Sequence, residues 1–414
     1  MKIRPLLPAL LLGALPCLAQ DAPPAPPIVT LDSIPKVFPQ TLPPLDKFTG
    51  KTGDKVPAFA VRPGYQVTLV AEGLGEARFL EFDDKGTLYL SQPDKKKGIS
   101  ALMDKNGDGV HESVTQFVAN FQGAHGLDFQ EGWLWFATAT GVHKARDTNG
   151  DGVSDETVAV LPEGTLPRGN HWWKGLCVTP AGFYVSIGDS GDHNDEFATE
   201  RQKIWFYSPD GKTRKLWSSG LRNTEKLQLR PGTNELWGSD HGSDNFGNAW
   251  GESKEKGAPF NDAHPPEEFN HYVEGAFYGH PFIVGNRVPR PEYLNRPDII
   301  DLAARTTPPA WSYGAHWSGN GFTFLSKDYF PGHQGDVFAA FKGSSNSSVK
   351  VGYRIERLMF DKLTGRPIGS QLIVSTIGAN GQQLDRPNDC VEAPDGSVIF
   401  SCDSGRIFRI SKAN

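Results

Sequence analysis

Apolar and polar positions alternate in short runs along most of this chain, and a glycine turn separates the runs of each pair. The clearest instance lies between Gly169 and Asp192. There a polar lead-in, His171-Trp172-Trp173-Lys174, precedes an apolar run from Leu176 and a turn at Gly182. A second apolar run, Phe183 to Ile187, then opens into the loop Gly188-Asp189-Ser190-Gly191-Asp192. The same order recurs from Arg78, from His125, from Arg222, from Gly319 and from Arg386. Period-two alternation bounded by turn residues predicts strands. The first four of these repeats are spaced by about 50 residues, the length of one propeller blade. The pattern therefore predicts an all-β, six-bladed β-propeller with four-stranded blades. The last repeat supplies only three strands, and Tyr65 to Ala71 alternates ahead of the first full repeat. That segment is expected as the outer strand of the final blade, closing the ring and removing an exposed sheet edge.

Composition agrees with a turn-rich β protein. The 414 residues include 46 Gly, 32 Pro and only 3 Met. The formal net charge is −6, and the one basic run is Lys95-Lys96-Lys97. Without a concentrated basic face, nucleic acid is not an expected partner. Met1-Lys2-Ile3-Arg4, the apolar run Leu6 to Leu15 and the small-residue site near Cys17-Leu18-Ala19 predict an export signal over 1–19, and hence a periplasmic or secreted protein. Pro16 argues against a lipid anchor on Cys17. No run is long enough for a membrane span. Residues 20–60 read as a Pro-rich linker, extended or draped over the domain, and 61–414 as the propeller. Cys390 and Cys402 flank a Pro-Asp-Gly turn, which suits either a cross-hairpin disulfide or two buried thiols; Cys177 reads as core.

Two loops carry oxygens at alternate positions around a glycine: Asp104, Asn106, Asp108 and Glu112, then Asp147, Asn149, Asp151 and Asp155. This spacing suits structural Ca²⁺, and equally suits hairpin turns without metal. An insertion from about Phe246 to Trp317 is rich in Pro and aromatic residues, fit either for a sugar-binding wall or for stapling the insertion down. In a propeller, the residue preceding each inner strand points toward the axis. Those positions hold Arg78, His125, His171 with Lys174, Arg222 with Asn223, Asn320, and Arg386 with Asp389. The loops after the second strands add Asp240-His241 and Lys342. An excess of cations around one opening favours a polycarboxylate guest, because Arg matches carboxylates bidentately.

At these residues the chain resembles the soluble PQQ-dependent sugar dehydrogenases. His171 through Leu176, with Gly182-x-x-Val-Ser-Ile-Gly-Asp189, is similar to their catalytic segment. Gly220-Leu-Arg222-Asn223 and Leu236-Trp-Gly-Ser-Asp-His-Gly242 are similar to their cofactor segment. Gly275-Ala-Phe-Tyr278-Gly-His-Pro281, Lys342-Gly343-Ser-Ser-Asn346 and Arg386-Pro-x-Asp389 resemble the L-sorbosone and pyranose dehydrogenase branch. The resemblance implies PQQ on the axis, a bridging Ca²⁺, and oxidation of an aldose or sugar aldehyde. It implies His171 as general base, with Arg222, Asn223 and Arg386 on the cofactor and the Gly242-Ser243 backbone on the metal. His125, Lys174 and Lys342 face the same guest by position. Lys342-Gly-Ser-Ser345-Asn346 departs from the branch's His-Gly-Ser-Trp-Asn, and Lys174 stands beside the place of a family Arg. No haem motif is present, so a separate electron acceptor is expected. Two alternatives stay open: a non-catalytic propeller for glycan or protein recognition, and a metal-dependent lactonase, against which the cationic inner positions count.

Overall fold

The computed structural model describes residues 45–93, 97–246, 259–344 and 346–413. The export-signal segment, Cys17, most of the Pro-rich linker, Lys95, Lys96 and Ser345 lie outside the described residues.

The alternating runs form antiparallel strands in a propeller-like arrangement. Four sheets have four strands each, in simple meander order. The first runs Leu80–Phe82, Leu88–Gln92, Gly98–Met103 and Ser113–Val118. The second spans Leu127–Gln130 to Glu156–Leu161, the third Leu176–Thr179 to Arg214–Ser219, and the fourth Thr224–Leu229 to Trp311–Tyr313. The innermost strands touch in cyclic order. Leu80–Phe82 meets Leu127–Gln130, and the sequence continues through Leu176–Thr179, Thr224–Leu229, Gly319–Phe324 and Pro387–Glu392 back to Leu80–Phe82.

The repeat pattern predicts six separate sheets, and here the structure differs. Besides a two-stranded ribbon, Ile283–Val284 with Val288–Pro289, the remaining strands form one nine-stranded sheet, in which the long strand Ala60–Ala71 joins two groups. Its first residues, Ala60 and Val61, pair with Ser375 and Val374, whereas Tyr65 to Ala71 pairs with Lys412 to Ile407. Pro63 and Gly64 mark the transfer, and Gly64 has φ +90, a conformation that costs glycine little. Thr49–Thr52 lies parallel on the same strand, so the end of the linker is draped over the domain.

Apolar residues from neighbouring sheets fill the spaces between them. One such layer packs Phe79, Ile99 and Phe117 against Leu134 and Phe136. The layer beside the closing strand includes Val67, Ile355, Phe400 and Phe408. Cys177, Cys390 and Cys402 are buried free thiols, and Cys390 sits opposite Phe400 rather than Cys402, which decides the open disulfide question for the thiols. Within the insertion, Phe282, Ile283, Ile299 and Leu302 bury one another, so these four help to staple it down, while Val273, Leu294 and Ile300 are exposed. No helix among the described residues is long and apolar enough to cross a membrane.

Candidate active site at the ring centre

The inner strands deliver their leading residues to one place, and Glu225 is the hub. Arg78 Nη2 lies 2.8 Å from Glu225 Oε2, and Asn223 Nδ2 donates to Oε1 at 3.2 Å. His125 Nε2 stands 3.4 Å from the same carboxylate and His241 Nε2 4.0 Å. Burial alone would raise the Glu225 carboxyl, but the Arg78 charge and the neighbouring imidazoles outweigh it and hold it well below the usual range. Burial pushes both His125 and His241 down to about 4, so both rings are neutral at pH 7.

Trp173 lies over this hub, with its ring 4.7 Å from the Arg78 guanidinium and 4.7 Å from the His125 ring. Trp172 stacks on Trp173 at 3.8 Å. His125 is consequently enclosed between Phe79 and Trp173, and Arg78 is enclosed with it. His125, expected at a cofactor, supports the floor of the site instead.

His171 stands at the rim of this floor. Its Nδ1 lies 2.7 Å from Asp189 Oδ1, and the other oxygen of Asp189 meets His280 Nε2 at 2.9 Å. The loop Gly188–Asp192 places Asp189 there because its backbone N–H donates to Arg222 O at 2.9 Å.

Arg222 holds loops together. Its Nε donates to Asp192 O at 2.7 Å, Nη1 to Gly242 O at 2.8 Å and Nη2 to Asp192 Oδ1 at 2.9 Å. Asp192 also accepts from the backbone N–H groups of Asp244 and Asn245. The carboxylate hydrogen-bonded to Arg222 is thus that of Asp192.

Lys342 and Arg386 share one carboxylate, Asp403, at 3.1 Å and 3.8 Å. Arg386 also donates to the carbonyls of Lys342 and Gly343. Two cations on one anion leave positive charge at the mouth. Lys174 is fully enclosed, with Nζ donating to Trp172 O at 3.2 Å, and burial, then Arg201, lowers it to about 7.

The donors present suit a polyanion. Lys342 and Arg386 offer undercompensated charge, and Asn223 Oδ1 and His241 Nε2 are buried without hydrogen-bond partners. The metal expectation fares differently. Of the two backbone oxygens expected on a metal, Gly242 O accepts from Arg222, while Arg290 donates to the Ser243 side-chain Oγ. Among the described residues no three His, Cys, Asp or Glu side chains converge in a metal-holding group. The two Asp/Asn loops turn their oxygens onto their own backbone. Asp104 accepts from Gly107 and Gly109, and Asp147 accepts from Gly150 and Gly152. Asn106, Asp108, Asn149 and Asp151 likewise each accept from the N–H two residues on, while Glu112 and Asp155 accept from Lys105 and Thr148. These loops stand as hairpin turns with satisfied caps.

At the level of sequence neither Asp189 nor His280 is a candidate site residue. The only signal was the position of Asp189 in its polar loop and of His280 in Gly275–Pro281.

A family model described as "Glucose / Sorbosone dehydrogenase" matches residues 182–409, and one described as a domain of unknown function, DUF7133, matches 51–273. An uncharacterized protein of Borreliella burgdorferi is 23% identical over 379 residues, covering 83% of this chain and 93% of that protein. Among solved structures, a calcium structure of a Trichoderma reesei carbohydrate-active enzyme of family AA12 is 18% identical, with TM-score 0.74, and covers 87% of this chain and 100% of that one. The holo form of the pyranose dehydrogenase PQQ domain from Coprinopsis cinerea is 15% identical, with TM-score 0.72, and covers 87% and 98%. At these identities the structural matches establish the shared fold.

Proposed function

The chain belongs to the glucose / sorbosone dehydrogenase family, and on that premise we propose that it is an exported PQQ-dependent dehydrogenase of an aldose or sugar aldehyde. The observation that supports the reading is the His171–Asp189 pair, with Lys342 and Arg386 sharing Asp403 as candidate anion-binding cations. We take the nine-stranded sheet as two blades stitched together by Ala60–Ala71, which makes the ring six-bladed. The export reading rests on the sequence of residues 1–19.

In this proposal Lys342 and Arg386 hold the carboxylates of PQQ, with Asn223 and His241 offering polar atoms that lack protein partners. When bound, PQQ supplies the acceptor for the hydride that leaves the sugar carbon, and a separate carrier later removes the electrons. The chain's own contribution is acid–base and positional. His171 Nδ1 faces the Asp189 carboxylate, which leaves Nε2 to take the proton of the sugar hydroxyl as its carbon is oxidised. Trp173, packed against Trp172, Arg78 and His125, keeps water from the buried hub beneath the site. Arg222 fixes the loops bearing Asp192 and Gly242, so that these surfaces keep their spacing. No step is assigned to Ca²⁺, because one expected backbone donor, Gly242 O, already accepts from Arg222; the ion enters only as an additive in the assay.

The test is titration of the purified protein with PQQ, with and without Ca²⁺, followed by a panel of sugars with an artificial electron acceptor. We expect saturable binding and turnover of at least one aldose. In His171→Ala, PQQ binding is expected to persist while kcat falls by about 100-fold or more, the range for loss of a general base. Absence of any PQQ binding in wild type overturns the reading.

A further inference from the structure

We propose that His280 is a positioning residue for His171, acting through the Asp189 carboxylate that the two imidazoles share. The proposal rests on His171 being the proton acceptor, and it adds a partner 109 positions away in sequence (280 − 171). Asp189 Oδ1 lies 2.7 Å from His171 Nδ1, and Oδ2 lies 2.9 Å from His280 Nε2. An ionised carboxylate only accepts hydrogen bonds, so both facing nitrogens must carry hydrogen. His171 Nδ1 also faces the Asp189 main-chain oxygen at 3.2 Å, a second acceptor that demands the same tautomer. The lone pair of neutral His171 therefore sits on Nε2.

His280 matters because it satisfies the second oxygen. Asp189 is fully enclosed, and its remaining side-chain hydrogen bond, from Gly191 N at 3.0 Å, goes to Oδ1. Without His280, Oδ2 would be buried with no donor. A buried carboxylate with an unsatisfied oxygen is driven toward its protonated form. Protonated Asp189 can donate to His171 Nδ1, and the imidazole hydrogen would then reside on Nε2. In that state His171 cannot accept a proton from substrate.

The backbone fixes the arrangement from one loop. His280 N donates to Gly220 O at 2.9 Å, and Asp189 N donates to Arg222 O at 2.9 Å. The charged groups nearest His280 besides Asp189 are Arg222 and Arg290, which together with burial favour its neutral ring. A neutral ring with hydrogen on Nε2 is the form that Asp189 needs. The other side of His280 borders a small polar pocket that is also lined by Asp240, His241 and Glu268.

The experiment compares wild type, His280→Leu and His280→Gln, since a Gln amide can still donate to Oδ2. Nitrogen-15 spectra of the imidazoles are recorded on cofactor-free protein, so the readout does not require turnover. Wild type and His280→Gln are expected to hold His171 as the Nδ1–H tautomer at pH 7, whereas His280→Leu gives a mixture or the opposite tautomer. In loaded enzyme, His280→Leu is expected to lose about tenfold in kcat, the scale of one charge-assisted hydrogen bond, with PQQ affinity unchanged. The acid limb of its pH profile moves upward, and His280→Gln restores both. Persistence of the Nδ1–H tautomer in folded His280→Leu overturns the proposal. If His280→Leu does not fold, His280→Gln decides alone: a retained tautomer supports it and a lost one overturns it. A wild-type protein with the expected tautomer but no PQQ turnover would sink the dehydrogenase reading and leave this inference standing.

Discussion

At the scale of single residues, the site divides between groups committed to the protein and groups left for a guest. Arg222 and Arg78 spend their donors on Asp192, Gly242, Glu225 and Asn388, whereas Lys342 and Arg386 have one carboxylate, Asp403, between them, besides the two carbonyls that Arg386 meets. Arg386→Met is therefore expected to weaken PQQ binding by about tenfold, the worth of one charge-assisted contact, with little change in melting temperature. A fluorescence titration beside a melting curve checks both halves. Lys174 should behave in the opposite way. It is enclosed with no carboxylate bonded to it, and burial lowers it to about 7 from the ordinary 10.5. Between those pH values the unfolded chain binds a proton that the folded chain does not, so its contribution favours folding more as pH rises through that window. Below about 7 the buried ammonium is fully charged and the penalty is at its largest. Lys174→Met is thus expected to stabilise the fold by about 1–3 kcal/mol at pH 7. That gain should shrink toward pH 10, as measured by urea denaturation at several pH values. The sequence placed His171, Lys342 and Arg386 at one opening. It could not separate them from His125 and Lys174, because lying near the axis and being open to it are different properties. Trp173 closes over His125, and only side-chain packing reveals that.

At the scale of elements, the inner strands were legible and the outer ones were not. Phe183 to Ile187 and Val398 to Cys402 are buried along their whole length and read as apolar runs. Glu156–Leu161 and Arg214–Ser219 are mostly exposed, so they carry little apolar alternation to detect. The closing strand was recognised only from Tyr65 onward, since Pro63 and Gly64 break the alternation where the strand passes from one partner to another. Hence six separate sheets were expected where a single strand fuses two. That strand should also be a mechanical dependency of the fold. Val67 is fully buried between Phe400, Phe408 and Ile355 in the adjoining layer. Val67→Ala should cost about 2 kcal/mol by lost burial and the cavity left behind. Val158→Ala, on an exposed outer strand, should stay within about 0.5 kcal/mol. Equal losses for the two in denaturant unfolding would remove the closing strand from its assigned place.

Over the whole molecule, the inner strands form a cycle, and each sheet packs against two neighbours through its own apolar layer. An open repeat array can fray from either end, because each unit leans on its neighbours alone. A cycle has no end to fray from: freeing one sheet exposes two apolar layers at once and opens the ring. The three buried thiols report on this from two sheets, with Cys177 in the third and Cys390 and Cys402 both in the nine-stranded one. Burial raises all three thiols well above their ordinary value, so native protein holds them inert both by access and by scarcity of thiolate. Native protein is expected to give no reaction at these positions with a thiol reagent at pH 8. Increasing urea should then expose Cys177, Cys390 and Cys402 over one common transition that coincides with loss of Trp fluorescence. Mass spectrometry of the labelled peptides resolves the three curves. If Cys390 and Cys402 react at clearly lower urea than Cys177, the fused sheet opens as a unit of its own. Ala60–Ala71 would then act as a detachable strap and not as the closure on which the ring depends.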